Sequence, residues 1–120
     1  MHKVVFNNCY VGFSISLKAV EWLEDNSEDD ALLEHIENCR ERYSQDNNLL
    51  FCYAVSDFFY KNRHHKDLVA AVETLGDEAN GSCAKLGIKK IYGNQYRIEE
   101  YDGAEDVITP EDDNEWVVID

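Results

Sequence analysis

The sequence predicts an α+β domain, a mostly antiparallel sheet with about three helices packed on one face. Three observations lead there. Short runs of β-branched and aromatic residues bounded by turn residues stand near both ends of the chain. Stretches with apolar residues at helical spacing lie between them. The resulting order, β-α-α-β-α-β-β-β, is that of an α+β domain. At 120 residues, with 44% apolar residues, one proline and no repeat, the chain reads as a single domain over 1–120. That length buries roughly two-thirds of the unfolded surface.

Residues 3–8 (KVVFNN) read as the first strand, ending in the turn that contains Gly12. Ser16 is placed to cap a helix running to about Asp25, with Ile15 and Val20 as a hydrophobic staple. Ser27 is expected to cap a second helix whose stripe is Leu32, Leu33, Ile36, Cys39 and Tyr43. Leu49 to Val55 is apolar and short, and is assigned to a strand, although such runs also suit a buried helix. A third helix spans about Lys66 to Leu75 and ends at Gly76, followed by one more turn and the Asn80-Gly81 pair. Ala84–Tyr92 and Gln95–Tyr101 flank Gly93-Asn94, which predicts a hairpin, with a bulge near Lys89-Lys90 where Ile91 breaks the alternation. Tyr101-Asp102-Gly103 marks a further turn, and Val107-Ile108 and Trp116–Ile119 read as short strands around Pro110.

Charge narrows the choice of partner. The formal net charge is -14, from 25 acids against 11 bases. Phosphate contact needs concentrated Lys and Arg, so direct nucleic-acid binding is disfavoured, as is docking on an anionic membrane. Residues 21–38 carry eight acids and no base, and residues 98–120 carry ten acids and no base. A protein partner with a basic surface suits both. The expected acidic binding surface comprises Glu21, Glu24, Asp25, Glu28 and Asp29 from the first tract. From the second it takes Glu99, Asp102, Glu105, Asp106, Glu111, Asp112 and Asp113. Same-face carboxylates on a strand recur every ~6.6 Å, whereas a DNA strand presents a charge every ~3.4 Å of axis. Mimicry of nucleic acid therefore needs two acidic elements side by side, such as these two tracts.

Catalytic and metal signatures are weak. The four cysteines contain no Cys-x-x-Cys pair, and adjacent His64 and His65 point to opposite faces of an extended segment. Cys9, at a turn entering a helix, is the best nucleophile candidate, yet no histidine follows in a pattern that identifies its base. No catalytic residue, metal or cofactor is assigned, and the chain is expected not to be an enzyme. An alternative reading is a small-ligand binder that sequesters a nucleotide signal. Its pocket would use Asn7, Asn8, Tyr10, Phe13, Arg63, Asn80 and Arg97, pairing aromatic stacking with amide and guanidinium recognition. The start, Met1-His2-Lys3-Val4, lacks the apolar core of a signal peptide, and a cytoplasmic location with reduced cysteines is expected.

Three motifs carry a resemblance. The segment 4–13 (VVFNNCYVGF) resembles an N-terminal signature of small, mostly uncharacterised phage and prophage proteins, in which a second glycine stands where this chain has Val11. Segment 68–81 (LVAAVETLGDEANG) with 84–88 (AKLGI), and segment 96–105 (YRIEEYDGAE), are similar to that group's core and closing turn. The resemblance covers about half of the chain, leaving out 24–62 and 109–120. It implies phage origin, and by analogy occupation of a host target in the host cytoplasm, for instance a nucleic-acid-handling defence system, without defining a mechanism.

Overall fold

Strand β1 (His2–Asn7) divides the molecule, because both of its faces are covered. The computed structural model describes residues 1–10, 12–43 and 48–110. Successive side chains of a strand point to opposite faces. Val5 accordingly enters a large core with Ile15, Val20, Leu23, Leu32, Ile36, Val55, Phe59 and Leu68, while Val4 enters a smaller cluster with Ile91 and Val107. Each such side chain stabilises the fold by about 1.5–3 kcal/mol relative to its exposure.

Among the described residues four α-helices surround the large core, one more than the sequence suggests. Helix α1 (Leu17–Asn26) starts as expected: Ser16 Oγ accepts the Ala19 N–H at 3.1 Å, and Ile15 and Val20 are both fully buried beside it. Helix α2 (Asp30–Arg42) is capped by Asp29, not by Ser27. The Asp29 carboxylate accepts from Ala31 and Leu32 N–H at 3.0 and 3.2 Å, and Ser27 instead closes α1 by donating its N–H to the Leu23 carbonyl. The segment assigned to a strand is helix α3 (Asn48–Ser56), which runs into a 3-10 turn at Asp57–Phe59. A short apolar run does not reveal its period. Here Phe51, Cys52 and Val55 all meet the core, and a helix presents those three together. Helix α4 (Lys66–Leu75) ends at Gly76 with φ 58°, and a 3-10 turn follows over Gly76–Ala79.

The strands pair differently from the sequence expectation. Strand β2 (Leu86–Ile91) lies antiparallel to β1, in a register from His2 opposite Ile91 to Asn7 opposite Leu86. Strands β3 (Arg97–Tyr101) and β4 (Ala104–Ile108) form a separate antiparallel hairpin. Gly93-Asn94 therefore joins two different sheets; neither residue adopts the positive φ that a tight hairpin turn requires. The hairpin turn is Asp102-Gly103, with φ 51° and 92°, the backbone of a type I′ turn. The β1–β2 register runs unbroken through Lys89 and Lys90, so no bulge exists there. Ile91 breaks the alternation because β2, like β1, is covered on both faces: Leu86 and Ile88 pack on the helical core, and Ile91 packs toward the hairpin. Val11 and the expected strand at Trp116–Ile119 lie outside the described residues.

Gly81 marks a close backbone approach. Its N–H donates to the Ser14 carbonyl at 3.0 Å, and a Cβ there would stand 2.1 Å from Ser14 Oγ. This contact, with the Ile15–Asn80 bridge, ties the entry to α1 to the exit of α4. The positive φ expected near Asn80-Gly81 falls instead on Cys83, at 63°.

Candidate functional site

The strand β1 has one edge on β2 and one edge that no strand of the described residues covers. Asn8 N–H bonds Lys85 on the β2 side, so the alternating N–H groups of Val5 and Asn7 point the other way. Val5 N–H reaches the Arg63 carbonyl at 2.9 Å, and Asn7 N–H reaches Glu105 Oε1 at 2.8 Å. Arg63, on the loop before α4, also sends its side chain into the structure. Its Nη1 and Nη2 donate to Glu105 Oε1 and Oε2 at 2.5 and 2.7 Å, with side-chain exposures of 1% and 3%. The guanidinium lies 3.9 Å from the Phe13 ring centroid and 5.6 Å from that of Tyr60. Such a planar cation suits a two-point carboxylate and an aromatic face at once. Arg63 Nε and Ser14 Oγ are buried with no hydrogen-bond partner among the described residues.

This geometry relocates several residues expected to bind partners. Glu105 is buried and bound to Arg63, so it does not belong to the acidic surface. Asn7 is likewise committed to the fold. Its Nδ2 donates to the Cys9 and Gly103 carbonyls at 2.7 and 2.9 Å, and its Oδ1 accepts the Lys85 N–H at 2.9 Å. Asn8, on the opposite face, is exposed. Of the ligand-pocket residues only Asn7, Phe13 and Arg63 meet around one centre. Phe13, Asn8 and Arg97 line three different cavities, Asn80 Oδ1 accepts the Leu86 N–H at 2.8 Å, and Tyr10 is exposed.

The acidic tract of the helices is mostly solvent-facing. Glu21, Asp25, Glu28, Asp30, Glu34 and Glu37 are exposed, and none makes an ion pair among the described residues. Glu24 pairs with Arg40, which links α1 to α2. Asp29 is part-buried; its Oδ2 accepts from His65 Nε2 at 2.7 Å. His65 Nδ1 accepts the Asp67 N–H at 3.1 Å and so caps α4. Both imidazole nitrogens are thus occupied, and the Ser27 hydroxyl donates to Asp67 at 2.7 Å instead of to histidine. That arrangement joins two helix starts. In the second tract, Glu99 pairs with Arg97, Asp102 and Asp106 are exposed, and Glu111, Asp112 and Asp113 lie outside the described residues. The two tracts are not side by side over the described residues. The helices pack on the Val5 face of β1 and the β3–β4 hairpin on the Val4 face. Helices α1 and α2, however, are neighbours and supply two acidic elements within the first tract.

Two of the four cysteines, Cys39 and Cys52, are buried. Burial pushes the Cys39 and Cys52 thiols up. Cys39 Sγ lies 3.6 Å from His35 Nε2, but that nitrogen donates to the Ala54 carbonyl at 2.8 Å and is not an available base. Cys9 is half-buried and Cys83 is exposed. Among the described residues no group of three or more His, Cys, Asp or Glu side chains is set to hold a metal ion.

No family model, curated protein or solved structure matches the chain. Sequence reasoning also missed Tyr53, Asp57 and Tyr60, which with Gly12, Phe13, Ser56, Glu100 and Glu105 line a cavity of about 230 Å³. Residues 53, 56, 57 and 60 share one helical face by their spacing, a signal hidden once the segment is read as a strand. Among the described residues no helix is long and apolar enough to cross a membrane.

Proposed function

We propose that the chain is a small, acidic, non-catalytic interaction protein of phage type. It acts in the host cytoplasm by binding, and thereby inhibiting, a host protein with a basic surface, such as a nucleic-acid-handling defence enzyme. The observation that supports this best is the set of six exposed carboxylates on α1, α2 and their connection, none in an ion pair among the described residues. Two neighbouring helices supply the double row of charge that one strand face lacks, and such a row competes with nucleic acid for a basic groove. The resemblance of the three motifs to phage proteins supplies the host context.

The test is affinity capture of bacterial host proteins on the immobilised chain at low and moderate salt. Basic nucleic-acid-binding proteins should be retained at low salt and depleted several-fold at moderate salt, because the screening length falls from about 30 Å at 0.01 M to about 8 Å at 0.15 M. Retention that ignores salt would refute the electrostatic reading.

A further inference from the structure

Tyr53, Asp57, Tyr60 and Glu100 line the cavity with Phe13 and Glu105. We propose that it receives one cationic side chain, the guanidinium or ammonium of an arginine or lysine on the partner's surface. The proposal rests on the reading of the chain as a binder of a basic protein and assigns the point where one residue of that protein is gripped.

Size comes first. Small-molecule pockets span about 300–1,000 Å³, so a cavity of about 230 Å³ suits one side chain better than a nucleotide. Its chemistry is equally selective. Three aromatic rings, Phe13, Tyr53 and Tyr60, stand with the carboxylates of Asp57, Glu100 and Glu105. Ring faces attract cations within about 6 Å of the centroid. The same wall already holds one: Arg63 lies over Phe13 and Tyr60 within that range and is bidentate on Glu105.

The sheet register sets a further carboxylate beside the ion pair. Glu100 stands directly opposite Glu105 across the β3–β4 hairpin, on the face shared with Ile98 and Val107. Arg63 neutralises Glu105 alone. Glu100 and Asp57 are exposed and make no ion pair among the described residues. The cavity therefore keeps two uncompensated carboxylates beside aromatic faces. An incoming guanidinium can bond those carboxylates while its plane lies on Tyr53 or Tyr60.

The experiment is an amide chemical-shift titration of the labelled protein with N-acetyl-arginine amide, its neutral isostere N-acetyl-citrulline amide, and spermidine. The arginine amide should give saturable shifts at Gly12, Tyr53, Asp57 and Glu100, and citrulline should bind at least about tenfold more weakly, the loss expected when a cation is removed from an aromatic site. Asp57→Asn and Tyr53→Ala should each weaken the arginine amide several-fold, with the dispersed spectrum of α4 confirming an intact fold. Equal response to citrulline, or full binding in both variants, would overturn the cation site. Tighter binding of spermidine than of arginine amide at these residues would overturn the assignment to a protein side chain. If shifts are absent while salt-sensitive capture persists, the cavity assignment fails alone. If shifts occur without any salt-sensitive capture, the binding of a basic protein fails and with it the partner side chain.

Discussion

Arg63 and Glu105, 42 residues apart in sequence, form a buried two-point ion pair that also closes the free edge of β1. The carboxylate accepts the Asn7 N–H, and the Arg63 carbonyl accepts the Val5 N–H. An open strand edge invites pairing with another chain, and here a loop and a side chain cover it.

Removing one partner leaves the other charge buried without compensation. Glu105→Gln or Arg63→Met should each cost about 3–5 kcal/mol in urea unfolding. The double replacement Arg63→Leu with Glu105→Leu should cost clearly less than the two single losses combined, because no lone charge remains. Single losses below about 1 kcal/mol would show that the pair is hydrated and peripheral.

Asp29 links α2 to α4 through His65, and it sets a pH dependence. The hydrogen bond from His65, followed by that from the Leu32 N–H, holds its carboxyl below the ordinary value of 3.8. A depressed folded value means the stabilisation is fully present above the ordinary value and is lost as pH falls through the folded one. Asp29→Ala should cost about 1 kcal/mol near neutrality, the usual worth of a helix cap. The gap between wild type and variant should narrow as the pH drops below 3.8. A constant gap from pH 6 to pH 3 would contradict this assignment.

Gly81 packs against the Ser14 backbone too closely for any side chain. In Gly81→Ala the new Cβ would meet Ser14 Oγ at 2.1 Å and the Ser14 carbonyl carbon at 2.7 Å. Backbone cannot swing aside like a flexible side chain, so a loss of about 1–3 kcal/mol is expected from denaturant midpoints. A neutral substitution would mean that the two segments separate easily.

The thiols should divide into two classes. Cys83 is exposed and should react with a water-soluble disulfide reagent in the native state, whereas Cys39 and Cys52 are buried with raised pKa and should react only on unfolding. Rapid modification confined to Cys9 would instead revive a Cys9-dependent activity.

Much of the fold is legible locally. Ser16 with the Ile15–Val20 staple, the α2 and α4 stripes, Gly76 and the Asp102-Gly103 turn all encode their structure within a few residues. What fails is what distant contacts decide. The apolar run of α3 carries no clear period, and the pairing of β2 with β1 spans most of the chain. The same holds for function. Exposed acids on the helices follow from composition and periodicity, but Glu105 looks like any other acid in its tract. Only the fold brings Arg63 to it, and only the fold turns Asn7 inward while leaving Asn8 outside.

The most direct test of the interaction reading is the association rate of the chain with a captured basic partner, measured against salt for the wild type and for Glu21→Gln, Asp25→Asn, Glu28→Gln combined. The wild-type rate should fall at least about tenfold from low to moderate salt, and the variant should start lower with a flatter dependence, as for electrostatically steered encounters. Equal rates and equal salt dependence for the two proteins would contradict a binding role for the acidic helices.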